Sequence, residues 1–245
     1  SREEAILLSS AQLEPLCEAA DQIRRHFCGN AFDMCSIING KSGKCPEDCK
    51  YCAQSSHYSA DTAVYPLLST DEILREAKAN AADGILRFSI VTSGKRLSDQ
   101  EVEQVCDSFR KIRETCGISL CASMGLLSQK QFKMLKSAGV VRYHNNLETS
   151  RRFFPHICTT HTYEDKIQAI RDARESGLTV CSGGIIGLGE TMEDRIDMAL
   201  TLRDLQIRSV PINVLNPIPG TPLEHNAPLP EDEVCRTAAI FRFLL

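Results

Sequence analysis

The sequence predicts an α/β protein of the TIM-type (β/α)8 barrel class, with about six βα units present and a helical cap ahead of them. Three observations carry this expectation. Helix-start patterns recur roughly every 30 residues, the length of one βα unit. A short apolar run follows each helix so marked. No linker or low-complexity segment interrupts the repeat, so residues 32–245 read as one barrel domain and residues 1–31 as the cap.

Taken in order, Glu3–Leu8 and Leu13–Phe27 carry apolar residues at helical spacing, with Gly29-Asn30 as a stop. Phe32–Asn39 alternates towards a first strand and runs straight into a cysteine-rich loop. Ser69-x-x-Glu72, Ser98-x-x-Glu101 and Ser128-x-x-Gln131 are capping-box patterns, and Thr162 and Thr191 open two more helices with Asp at the third position. Gly84, Gly117, Gly139 and Gly177 stand where C-cap glycines close four of these helices. Leu86–Val91, Ile118–Met124, Val140–Leu147, Leu178–Ile186 and Val210–Leu215 supply the later strands, and Glu231–Leu245 the sixth helix. Such alternation argues a parallel sheet with right-handed crossovers. Two further units are needed to close a barrel, so either the chain is a fragment of a longer one or the barrel is open. A doubly wound open sheet is the alternative.

The chain has 245 residues, enough for one large core, and a net charge of −4. No long basic run occurs, which argues against nucleic acid or anionic membrane as the main partner. No apolar stretch reaches the roughly 18–20 residues that span a bilayer, and no leader pattern opens the chain, so a cytoplasmic location is expected. Twelve cysteines are many for such a chain. Disulfides do not suit a reducing cytosol, and metal or cluster ligation explains some of these thiols better.

Cys45-Pro-Glu-Asp-Cys49-Lys-Tyr-Cys52 concentrates three of them at C-x3-C-x2-C spacing. A structural zinc site wants a fourth protein ligand, which this run lacks. Three thiolates on a [4Fe–4S] cluster leave one iron open to a small molecule. Pro46 biases Cys45 towards extended backbone, so an irregular loop can converge the sulfurs. Tyr51 sets an aromatic ring beside the last ligand. A zinc knuckle or ordinary packed cysteines is the alternative.

The C-x3-C-x-aromatic-C pattern resembles the signature of radical S-adenosylmethionine (SAM) enzymes, and the wider run Asn39–Ser56 resembles the biotin synthases. The resemblance covers about Phe32 to Leu245. It implies that Cys45, Cys49 and Cys52 hold a [4Fe–4S] cluster whose open iron binds SAM. It further implies that dethiobiotin is converted to biotin with sulfur from an auxiliary iron–sulfur cluster. A low-potential electron donor such as flavodoxin or ferredoxin belongs to the same expectation, as does a homodimer, since the family is often dimeric.

The better-known members hold a [2Fe–2S] auxiliary cluster by three strand cysteines and an arginine. Cys121 and Cys181 match two of these, but the third position is Ser89, and the stretch that would carry the arginine lies beyond Leu245. Serine replaces a soft thiolate ligand poorly. The pattern resembles instead the strict-anaerobe type, which implies a [4Fe–5S] centre on Cys28, Cys35, Cys121 and Cys181, with [2Fe–2S] as the alternative. The resemblance also implies SAM contacts at Tyr51, Gly183, Gly184 and Glu148, dethiobiotin contacts at Asn145 and Asn146, and Asn213 between both ligands. From the residues alone, the glycine run Gly183–Gly189 reads equally as a tight turn, and His144–Thr149 as a polar loop. Glu47 and Asp48 read as solvated or loop-bracing, and Cys17, Cys106, Cys116, Cys158 and Cys235 as structural. A hydrogenase-maturase-like or pyrrolysine-pathway-mutase-like radical SAM enzyme is the second reading, and a non-enzymatic metal-stabilised binding module the third.

Overall fold

A computed structural model describes all residues from 1 to 245. Helices α1 (Arg2–Leu8) and α2 (Leu13–Cys28) form at the amino end, and α2 stops at Gly29 as expected. Both pack against the helices at the far end of the chain, α1 against α7 (Met192–Asp204) and α2 against α8 (Glu231–Leu244). Arg2 fixes the first of these contacts through Asp197, with Nε 2.6 Å from Oδ1.

Between them lie α3 (Thr70–Ala82), α4 (Asp99–Thr115), α5 (Gln129–Ser137) and α6 (Tyr163–Glu175). Ser69, Ser98, Ser128, Thr162 and Thr191 each complete a capping box at the start of α3 to α7. A cap of this kind stabilises a helix by about 1 kcal/mol and, more to the point here, fixes where it begins. Gly84, Gly139 and Gly177 take the positive φ of a C-cap, but Gly117 does not. Helix α4 ends on Cys116 in extended backbone, so no left-handed residue is required there.

The strands are β1 (Cys35–Lys41), β2 (Arg87–Thr92), β3 (Ser119–Ser123), β4 (Arg142–His144), β5 (Thr179–Cys181), β6 (Gly184–Ile186) and β7 (Ile212–Val214). All pairings are parallel, in the order β1-β2-β3-β4-β5 and then β6-β7. Bridges from Glu148 to Gly184 and from Cys181 to Ser209 join the two groups into one curved wall. This is the TIM-type fold, with β1 and β7 at the ends of the arc.

Two strand expectations need correction. The single run Leu178–Ile186 divides into β5 and β6, because the chain turns at Ser182-Gly183 to change partners. A Cβ on Gly183 would sit 1.9 Å from the Pro211 carbonyl oxygen, so only glycine permits the approach. The first strand begins at Cys35 rather than Phe32, whose ring is 84% exposed. Strand β1 is an edge with β2 on one side only, so little holds its leading residues in the core.

The core lies between strands and helices, filled by Phe88, Phe109, Phe132 and Tyr143, all fully buried. The Tyr143 hydroxyl donates to the Gly125 carbonyl at 2.6 Å and accepts the Met124 N–H at 3.0 Å, as a buried phenol requires. No helix is long and apolar enough to cross a membrane.

Candidate active site

The cysteine loop sits past the carboxyl end of β1. It is closed on itself by backbone: the Cys45 N–H donates to Gln54 O at 2.9 Å, and the Ser56 N–H donates to Cys45 O at 2.8 Å. Further bonds tie it to residues 159–161, more than a hundred positions away. The Asp48 carboxylate accepts the N–H groups of Thr159 at 2.8 Å and Thr160 at 3.2 Å, the Thr160 hydroxyl at 3.1 Å, and the Thr159 hydroxyl. Burial opposes ionisation of Asp48, yet these donors hold its carboxyl well below the usual range. Glu47 is buried, shares the single Thr160 hydroxyl proton (2.9 Å) with Asp48 and accepts from His161 Nδ1 at 2.5 Å. The adjacent carboxylates therefore brace the loop, and Glu47 is not solvated.

Cys45, Cys49 and Cys52 line one cavity of about 160 Å³ together with Glu47, His161 and Lys166. None of the three is in a disulfide. Cys158 Sγ stands against Cys49 Sγ, and that contact, followed by burial, pushes the Cys49 thiol up; burial alone leads the rise at Cys52. Cys158 is thus more than the core thiol expected of it.

The polar run after β4 meets this cavity through Lys166, which lines it and contacts Asn145 and Glu148. Glu148 is buried at φ 72°, a left-handed conformation uncommon outside glycine. Its backbone is clasped by Gly183 and Ile185, and its Oε2 has no partner. Burial raises the Glu148 carboxyl, partly offset by the charge of Lys166, whose Nζ is 3.9 Å from Oε1. Tyr51, half-buried with its phenol raised by desolvation, faces this carboxyl along with Asn146.

Asn145 is committed to protein partners: Lys166 Nζ donates to its Oδ1 at 3.2 Å and its Nδ2 donates to Gly125 O at 3.4 Å. Asn146 Oδ1 accepts the Gly183 N–H at 3.0 Å, which leaves its amide nitrogen free. Asn213 is exposed on β7, with Nδ2 donating to Gly184 O at 3.2 Å. Gly184, like Gly183, is required by close backbone: a Cβ there would lie 2.4 Å from Glu148 O. Both glycines are therefore required by strand packing beneath the site. Sequence reading missed Lys166, which is one turn inside α6. The signal was its place at the start of a helix capped beside the cysteine loop.

A second group gathers on the strands, with Cys121 buried, Cys181 half-buried and Cys35 exposed on the edge strand. Cys181 lies near enough to Cys35 and Cys121 to oppose their ionisation, and burial leads the rise of Cys35 and of Cys121, the latter to about 11. Register puts them on one face of the sheet: Cys35 pairs with Arg87, Ser89 with Cys121, Cys121 with Arg142 and His144 with Cys181, and residues two apart on a strand share a face. Arg142 acts on Cys35 and Cys121 and donates to Ser209 Oγ at 3.4 Å, which in turn donates to Cys181 Sγ at 3.4 Å. Arg87 stands beside Cys35, its Nε buried without a partner. Cys28 does not join this group. It is exposed at the end of α2, on the helical layer, with its sulfur facing Arg242 of α8.

The family model described as the radical SAM superfamily matches residues 41–202, and that described as the Biotin and Thiamin Synthesis associated domain matches residues 211–245. The biotin synthase of Akkermansia muciniphila is 62% identical over 245 residues, covering all of this chain and 76% of that protein. A biotin synthase of Clostridium botulinum is 55% identical, covering all of this chain and 77% of that one. Methylornithine synthase superposes with a TM-score of 0.85 at 19% identity, over 99% of this chain and 73% of that structure. The FeFe-hydrogenase maturase of Carboxydothermus hydrogenoformans gives 0.86 at 17% identity, over 100% and 60%. At such identities these two share the fold alone, whereas the sequence relatives are far closer. The chain therefore belongs to the biotin synthase family of radical SAM enzymes.

Proposed function

We propose that Cys45, Cys49 and Cys52 are the cluster ligands, and Cys35, Cys121 and Cys181 the sulfur-donor site, of a radical SAM sulfurtransferase. The reaction is that of the family, conversion of dethiobiotin to biotin. The supporting observation is the pair of three-cysteine groups, one at the carboxyl ends of the strands and one on the strands themselves, in the same barrel wall. The donor chemistry fits: three free thiols on a braced loop border a cavity also lined by Lys166, whose ammonium lies 3.9 Å from the buried Glu148 carboxylate with its one unpartnered oxygen. A [4Fe–4S] cluster with SAM supplies, when bound, a carbon radical that takes hydrogen from unactivated C–H bonds.

The chain's own residues bind and orient. Lys166 offers its ammonium to the carboxylate of SAM, held by Asn145. Glu148, with one oxygen unpartnered, accepts hydroxyl donors of the nucleoside, and Tyr51 closes against it. Asn146 and Asn213 retain the free amide atoms that suit the ureido group of dethiobiotin. Arg87 and Arg142 supply positive charge beside the strand thiolates, which lowers the cost of holding an anionic cluster there. Serine at position 89 and the outward place of Cys28 leave three cysteines for that centre, whether [4Fe–5S] or [2Fe–2S]. We assign the electron donor to a low-potential protein such as flavodoxin or ferredoxin, the assembly to a homodimer, and residues 1–31 to a cap on a barrel domain.

Anaerobic reconstitution with iron and sulfide, then incubation with SAM, reductant and dethiobiotin, tests this. Cys49→Ala should release no 5′-deoxyadenosine. Cys181→Ala should release some but make no biotin, and normal biotin from that variant would remove Cys181 from the sulfur-donor site.

A further inference from the structure

We propose that Cys49, Cys158 and His161 form a mononuclear site for a divalent transition metal, filled when no cluster is seated on the cysteine loop. Cys158 Sγ lies 3.8 Å from Cys49 Sγ, 3.8 Å from His161 Nε2 and 3.2 Å from Nδ1. One donor atom from each residue falls within 4.8 Å of the other two. A tetrahedral ion bound at about 2.3 Å to sulfur and about 2.0 Å to nitrogen sets two sulfurs about 3.8 Å apart, and sulfur and nitrogen about 3.5 Å apart. Cys158 Sγ already stands near these spacings from Cys49 Sγ and from the His161 ring.

A second observation points to a metal. Glu47 Oε2 is 2.5 Å from His161 Nδ1, and both residues are buried. A carboxylate on one ring nitrogen fixes the tautomer and turns the lone pair of the other outward, as almost all metal-bound histidines are arranged. With Nδ1–H donating to Glu47, Nε2 is the free nitrogen, and because Nδ1 lies nearer Cys158 Sγ, binding through Nε2 turns the ring while Nδ1–H stays on Glu47. Two thiolates and an imidazole suit zinc, iron(II) or cobalt(II), and not magnesium or calcium. Binding displaces the two thiol protons to solvent. Because Cys49 serves both sets, a lone ion and a cluster exclude each other. The lone ion holds the loop against residues 158–161, and zinc there obstructs cluster assembly.

The test uses the full chain, stripped of metal under anaerobic reducing conditions and titrated with cobalt(II). The visible bands of tetrahedral cobalt should appear at one ion per chain. Cys158→Ala and His161→Ala should weaken binding at least ~10-fold and Glu47→Gln about 10- to 100-fold. Cys45→Ala, outside the triad, should leave the spectrum intact. Loss of the bands in Cys45→Ala with retention in Cys158→Ala would place the ion on the three loop cysteines and overturn the proposal. X-ray absorption of zinc-loaded wild-type protein is independent of any variant's folding: two sulfurs with an imidazole support the site, and three sulfurs refute it. Zinc loading should also lower the cluster formed on reconstitution in wild type and not in Cys158→Ala. That arm alone rests on the cluster ligands proposed above; equal cluster formation in zinc-loaded and zinc-free wild type would refute the sharing of Cys49.

Discussion

Replacing Asp48 by Asn should loosen the cysteine loop without unfolding the protein. The side chain keeps its shape, but the carboxylate becomes an amide. Of its four accepted bonds, that from the Thr159 hydroxyl loses its acceptor oxygen, while those from Thr159 N, Thr160 N and the Thr160 hydroxyl are kept. A hydrogen bond to a charged acceptor contributes about 1 kcal/mol more than one to a neutral acceptor. Three weakened bonds and one lost bond sum to about 5 kcal/mol in a buried setting, and the exposure of Thr159 with the half-burial of Asp48 reduces this to about 2 kcal/mol. That corresponds to roughly a 30-fold shift towards the undocked loop. In reconstituted protein, a chelator should strip iron from the Cys45–Cys49–Cys52 site about 30-fold faster, with the far-ultraviolet dichroism unchanged. Asp61→Asn, on an exposed residue of the following segment, is the control. A wild-type stripping rate in Asp48→Asn would show that the bonds to residues 159 and 160 do not hold the loop.

Lys166→Met should raise the KM for SAM about 10- to 100-fold, the worth of one hydrogen bond to a charged group, with the strand cysteine group still able to take up iron; an unchanged KM would remove Lys166 from the SAM site. Gly183→Ala should destabilise by about 3 kcal/mol or more, read from the urea midpoint, because the new methyl meets the Pro211 carbonyl on two fixed strands. His144 is lowered to about 4, first by burial and then by the charge of Lys166. Its contribution is therefore complete above its ordinary value of 6.5 and is lost as pH falls from there to about 4. The loss reaches on the order of 3 kcal/mol, and His144→Gln should flatten that part of the stability profile. An identical acid limb in the variant would mean that His144 is protonated in the folded state.

The positions of the barrel helices were legible in the sequence because a capping box is made within four residues. Ser69 and Glu72 meet whatever the rest of the chain does. The loop thiols were legible for the same reason, as three donors within eight positions constrain one another locally. Strand ends were less so: the break at Ser182-Gly183 follows from the approach of Pro211, 28 positions on, and no local pattern encodes it. Nor does local pattern say which thiols meet. Cys49 and Cys158 are 109 positions apart, brought together when two loops close over the carboxyl ends of the strands. Cys28 and Cys35 are near in sequence, yet α2 leaves one on the helical layer while β1 carries the other to the strand cysteines. The sequence by itself determined the repeating unit and the donor chemistry, since both are properties of short segments. Only the tertiary structure decided the groupings, because a ligand set is fixed by distance across the barrel, and that distance is set by strand register and loop closure rather than by separation along the chain.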